Sequence, residues 1–433
     1  MLLKKKLLSA IFLGTTLVGF SQTNKALDKI ITLQNTQRII TTLASDDMKG
    51  RKTFSPEIDK AAAFIASEFK AIGLQPMGKS TGFLQPFSLI SATETSISAM
   101  MDGEKIDSSK VLIITSEPNI SVTQTSGYTI EQINTGDNIN LKVSAALKSK
   151  ANKLVLINES FAANFARFGR LKRNFFPTGF TTIFLLANNV PSNFSINAVH
   201  KIEEKHLANV VGVLPGKSKK EEFVIFSGHY DHLGTSNAAS GDTIFNGAND
   251  DAAGTTAVIQ LAKYYKSLHN NERTIVFATF TAEEIGGFGS QYFSKQFDPE
   301  KVVAMFNIEM IGTESKWGTN SAYITGYEKT NMGEILQRNL TGTTFSFYPD
   351  PYPTQQLFYR SDNATLARLG VPAHTISTSK MDAEPNYHKV SDEISTLNLD
   401  NMNSIIKAIA LSATSIVDGK DTPTRVNTAD LTR

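Results

Sequence analysis

Hydrophobic residues along this chain follow two rhythms, and the change from one to the other divides it. Behind Ser55-Pro56, the apolar positions Ile58, Ala62, Ile65, Phe69 and Ile72 recur every three or four residues up to Gly73. That spacing gathers them on one face of a helix, with serine as cap, proline in the first turn and glycine at the end. The main domain resumes at 208–214 before a Pro215-Gly216 turn, and compact apolar runs follow at 223–227, read as a buried strand, and at 273–280, 302–308 and 373–377, each predicting a strand. Helical patterns at 252–268, 287–297 and 363–369 fall between them. Such alternation predicts an α/β fold in three layers, a mixed, largely parallel sheet with helices on both faces. The signal is weaker for a strand at 321–327 and a helix at 330–340. The proline-rich stretch 345–360 reads as a long loop, 397–417 as a closing helix and 418–433 as a polar tail.

Residues 91–201 have a different character, with short β-rich runs at 110–115, 153–157 and 181–186. They are expected to form an inserted β-rich domain, leaving 22–90 and 202–417 as the two parts of the main domain. A chain of 433 residues, 41% hydrophobic, can bury a sizeable core in more than one folding unit.

Three features of composition narrow the setting. Lys4, Lys5 and Lys6, the apolar run 7–20 and the small residues Gly19 and Ser21 have the three parts of a secretory signal peptide, covering 1–21. The run is shorter than the roughly 20 residues that span a bilayer, so no stable membrane insertion is expected. Removing those three lysines takes the formal charge from +2 to near −1, which suggests no nucleic-acid partner. There is no cysteine, so stability is expected from the core and from any bound metal. The expected location is periplasmic or extracellular.

Two short motifs lead nowhere. The residues from Gly73 to Ser80 spell a phosphate-binding loop, and those from Gly78 to Gly82 a serine-hydrolase elbow. Both motifs need a strand before and a helix after, whereas here a helix precedes and an extended run follows.

The chemistry lies elsewhere. His229, Asp250, Glu284, Glu309 and His388 each sit beside a hydrophobic run, and three of the runs are strands whose carboxyl ends would carry His229, Glu284 and Glu309. Two imidazoles and three carboxylates suit two zinc ions that share one carboxylate. Asp231, two residues after His229, could hold the proton of the non-ligating ring nitrogen. Asp250 or Asp251 could instead cap the helix that follows. Glu283 and Glu284 are adjacent, and hydrolysis needs one carboxylate on the metal and another free to move a proton.

In order and spacing these segments resemble family twenty-eight of the metallopeptidases, the di-zinc group that includes secreted bacterial aminopeptidases, glutamate carboxypeptidase II and glutaminyl cyclases. The resemblance covers about 38–90 and 205–415. It implies a zinc exopeptidase fold, with Asp250 bridging, His229 and Glu309 on one zinc, and Glu284 and His388 on the other. It leaves His232 out of the ligand set, makes Glu283 the general base, and gives Tyr387 a hydrogen bond to the developing oxyanion. Glu309 departs from the commoner aspartate, which bears on whether substrates lose residues from the amino or the carboxyl end. Ser361-Asp362 matches a segment lining the family's substrate pocket. The expected activity is release of N-terminal residues from peptides. The alternatives are a carboxypeptidase of the same family, a glutaminyl cyclase and a non-catalytic binding ectodomain, the last two needing fewer of these residues.

Overall fold

In the central strand of the main sheet, consecutive residues face opposite cores. Val224 and Phe226 join one hydrophobic cluster while Ile225, between them, joins the other. The next strand repeats the split, with Ile275 and Phe277 on one side and Val276 and Ala278 on the other. A strand alternates its side chains between faces, so an unbroken apolar run is what a sheet covered on both sides demands. The computed structural model describes residues 27–431. The proposed signal segment 1–21 lies outside them.

The described chain forms two compact units, one of residues up to Pro86 together with Ala208 onward, the other of Phe87–Leu207. The second is wider than the 91–201 read from sequence. Two long strands, Leu84–Met101 and Phe194–Leu214, carry the chain across both boundaries, so no break in pattern marks them.

The larger unit contains strands β1 (Phe194–Leu214, by its last residues), β2 (Lys219–His229), β3 (Arg273–Phe280), β4 (Val302–Ile308), β5 (Ser321–Ile324), β6 (Ser346–Pro349) and β7 (Ala373–Ser377). They lie in the order β6-β5-β7-β4-β2-β3-β1. The central four, β7, β4, β2 and β3, are mutually parallel, while β1 and β5 run antiparallel to their central neighbours. Helices α1 (Leu33–Leu43), α2 (Pro56–Ile72), α3 (Ala253–Leu268), α5 (Met332–Asn339) and α7 (Leu399–Ser412) contribute to the larger core, and α6 (Asn363–Ala367) to the other. The short α4 (Phe288–Ser294) follows β3 and places Phe293 in that second core. The fold is the expected three-layer α/β arrangement.

Three local expectations change. The stretch 345–360 is not all loop, because β6 pairs in parallel with β5 at the sheet edge. Four residues ending in proline at an edge give little pattern to read. The closing helix breaks at Ala413 into α7 and a single further turn, Thr414–Val417. The polar tail is anchored: Val426 is buried, its amide donates to Gly370 O, and Arg425 donates to Val302 O at 2.8 Å.

The smaller unit has its own four-stranded sheet, made by Val111–Ile114, Thr182–Leu186, Lys153–Ile157 and Thr129–Ile133 in that order, with the helix Ile139–Lys148. Separate apolar clusters cover its two faces. It is thus a mixed α/β unit with a β-rich frame.

Candidate metal centre

Sheet register alone brings three of the five candidate ligands together. In β2, His229 pairs with Phe280 of β3, and Ser227 pairs with Asn307 of β4. Glu283 and Glu284 therefore follow the carboxyl end of β3 and Glu309 that of β4, on either side of His229. Crossover loops supply the rest. Asp250 stands in the turn before α3, and His388 in the loop after β7.

The side chains converge. His229 Nε2 is 3.2 Å from Asp250 Oδ1, and His388 Nε2 is 3.3 Å from Asp250 Oδ2 and 3.2 Å from Glu284 Oε2. None of these contacts has hydrogen-bond geometry. Donors around a tetrahedral zinc with bonds near 2.0 Å lie about 3.3 Å apart, so the spacing fits a cation between them. The ligand atoms of His229, Asp250 and Glu309 form one compact group. His229 Nε2 and Glu309 Oε2 are buried without a hydrogen bond, as atoms reserved for a metal would be. The residues present fit a metal centre that includes Asp250, which belongs to both compact groups of possible ligands.

His232 also forms a compact group with Asp250 and Glu284. Its Nδ1 lies 2.7 Å from Glu284 Oε1 and 3.9 Å from Asp250 Oδ2. The first distance is shorter than two ligands of one zinc would keep, and is that of a hydrogen bond. His232 holds Glu284 through this hydrogen bond, and His388 Nε2 stands at ligand spacing from both Asp250 and Glu284.

Asp231 corrects an expectation. His229 Nδ1 is 3.1 Å from the backbone oxygen of Asp231 but 3.8 Å from its carboxylate. The carboxylate instead accepts from the amides of Glu283 and Glu284 and from the Thr53 hydroxyl. It fixes the two-glutamate turn while its main chain fixes the histidine. The ambiguity between Asp250 and Asp251 also resolves. Asp251 accepts from the amides of Gly254, His229 and Met310, knitting three loops together, while Asp250 faces the cluster. The peptide bond between them is cis.

Two buried residues here escaped the sequence reading. Asp392 accepts from the amides of Asn249 and Asp250 at 2.9 and 3.0 Å. Arg51 is fully buried, and its guanidinium donates to the carbonyls of Leu43, Tyr230, Asn246 and Gly247 at 2.6–2.9 Å. It ties the loop after β2 to the loop of Asp250 and places a fixed positive charge behind the acids. An isolated arginine outside any strand gives no signal in sequence.

Without metal, electrostatics sets the protonation. Burial pushes Asp250 up, but the closeness of His229 and His388 outweighs it and holds the carboxyl well below the usual range. Contacts with Asp250 and Glu284 raise His388 to about 10. Burial raises Glu309 to about 7, and lifts Glu283 well above the carboxylate range despite the pull of His229. Positive charge is in demand, and protons meet it until a metal does. Tyr387 stacks on the His388 ring, 3.9 Å between centroids, and lines a small cleft with Glu309, Met310 and Arg360.

The sequence agrees with this geometry. Residues 209–413, which include all five candidate ligands, match the sequence model of peptidase family M28. Those residues belong to peptidase family M28. The M28 segment is 27% identical over 210 residues to leucine aminopeptidase 1 of Pyrenophora tritici-repentis, covering 45% of this chain and 52% of that protein. The chain thus spans about half the length of the curated relatives it matches. Among solved structures, the aminopeptidase from Aneurinibacillus sp. strain AM-1 superposes with a TM-score of 0.53 at 18% identity, over 90% of this chain and 95% of that one. A zinc aminopeptidase from Bacillus subtilis gives 0.53 at 17%, over 90% and 97%. At these identities the likeness establishes a shared fold for the M28 unit.

Proposed function

We propose that the protein is a secreted di-zinc exopeptidase that releases N-terminal residues from peptides. The observation that carries this is Asp250, whose two oxygens each face a different histidine. In this reading His229 and Glu309 hold one zinc, Glu284 and His388 the other, and Asp250 both. When bound, the ions would polarise the scissile carbonyl and lower the pKa of the attacking water. Glu283, whose amide is fixed by Asp231 and whose carboxyl lies in the same cluster, takes the proton from that water and passes it to the departing amine. Tyr387 is placed to donate a hydrogen bond to the oxygen that gains charge.

The aminopeptidase relatives and the acids around the site support action at a free amino terminus, which a carboxylate cluster attracts. A carboxypeptidase is the second reading, favoured by Arg360 in the cleft that Glu309 and Tyr387 line. Secretion rests on the pattern of residues 1–21, and N-terminal sequencing of the exported protein tests it by the expected start at Gln22.

One experiment tests the function. The purified protein should hold two zinc ions, lose activity to a chelator, and cleave peptides with a free amino end and an amidated carboxyl end. Cleavage only of amino-blocked peptides from their carboxyl end would select the second reading, and full activity with one ion would remove the bridge.

A further inference from the structure

In hydrolysis by the function proposed above, on which this inference rests, the leaving amine must meet Glu283. The residue after the scissile bond therefore lies on the Glu283 side of the site. On that side is a cavity of about 430 Å³, lined by Glu283 and Gly287 after β3 and by Arg360, Asp362 and Arg368 around α6. Its volume is in the range of small-ligand sites.

The charges in this cavity are sorted by depth. Asp362 is 2% exposed, whereas Arg360 and Arg368 are exposed. The Arg360 guanidinium bonds the Gln355 side-chain oxygen at 3.3 Å, a neutral partner that leaves its charge for a ligand. Acids thus surround the metal end, where a free amine would lie, and guanidinium groups stand at the rim. A short peptide has the same polarity, positive at its amino end and negative at its carboxyl end. Guanidinium is also the side chain that matches a carboxylate with paired hydrogen bonds.

We infer that this cavity binds the residue following the scissile bond, and that Arg360 and Arg368 recognise a carboxylate on it. That carboxylate is the α-carboxylate of a dipeptide or the side chain of an acidic residue. Preferred substrates are then dipeptides or peptides with Asp or Glu in second place.

Three substrates of the zinc-loaded full chain decide this: leucyl-alanine, its C-terminal amide, and the amide of leucyl-aspartate. A substrate that carries a carboxylate, leucyl-alanine or the leucyl-aspartate amide, should exceed the leucyl-alanine amide in kcat/KM by ~10-fold or more, the worth of a hydrogen bond to a charged group. Arg360→Gln and Arg368→Gln should shrink that ratio mainly through KM, with melting temperature showing that each variant is folded. Recovery with the leucyl-aspartate amide would identify the acidic side chain as a source, and lack of recovery the α-carboxylate. Equal cleavage of all three substrates, by the wild type and both variants, would overturn the inference and leave the aminopeptidase reading intact. If only N-acetylated peptides are cleaved, the aminopeptidase reading fails, and the same acid-to-amide ratio on the acetylated series still decides the carboxylate site.

Discussion

Glu283 and Glu284 are neighbours in sequence with opposite surroundings. Glu284 meets His232 and His388, while Glu283 has burial and other carboxylates around it. Glu283→Gln should keep both metals and lower kcat by roughly 100-fold to 10,000-fold, the range for loss of a general base. Glu284→Gln should lose zinc as well. Metal analysis of the two variants checks the assignment, which equal zinc loss would sink. Arg51 makes a second case. Arg51→Met leaves four buried carbonyls without their donor, so stability should drop by at least about 3 kcal/mol in denaturant titration. A near-neutral result would mean that water replaces the guanidinium. Glu309 provides a pH test. Its carboxyl is raised from 4.5 to about 7 in the metal-free fold, so its protonated form stabilises that fold below pH 4.5 and the contribution fades as pH rises through 7. Zinc needs the ionised form. The rise in melting temperature on adding zinc should therefore grow between about pH 5 and pH 8 more steeply in the wild type than in Glu309→Gln, and equal profiles in the two would argue against Glu309 as a ligand. At this scale the sequence exposed residues beside strong hydrophobic runs. It did not expose Arg51 or Asp392, which act through backbone contacts that only the folded chain creates.

Strand ends and tight approaches assemble the centre at the scale of elements. The amino end of α3 presses against β4 so closely that a Cβ on Gly254 would lie 2.0 Å from Ile308 O and 2.4 Å from an Asp251 oxygen. Gly254→Ala should therefore displace the backbone next to Glu309 and Asp251, costing about 1–3 kcal/mol as overpacking does and weakening zinc binding with it. Denaturant titration with and without zinc measures both, and unchanged zinc affinity would show that the two loops move independently. Elements with long, doubly buried apolar runs were readable to the residue, as β3, β4 and β7 show. β6 was not, because an edge strand of four residues with one buried side chain has neither run nor rhythm.

For the whole molecule, the division into two units separates chemistry from the remainder. All five candidate ligands lie in the unit that contains the M28 segment, and Phe87–Leu207 contributes none. Each unit has its own apolar clusters. Chelation should thus lower the melting of the larger unit and leave that of the smaller nearly fixed, a pattern calorimetry resolves as two transitions of which one responds to zinc. Equal shifts of both would show that they unfold as one. By itself the sequence determined the α/β class, the parallel strands and five residues of metal-binding type, because burial periodicity and ligand chemistry are local properties. Tertiary structure decided which histidine faces which carboxylate, that Asp231 works through its main chain on His229 and its side chain on the glutamates, and that Arg51 stands behind them. Those are distances between residues up to about 200 positions apart, set by sheet register and loop packing, and no local pattern encodes them.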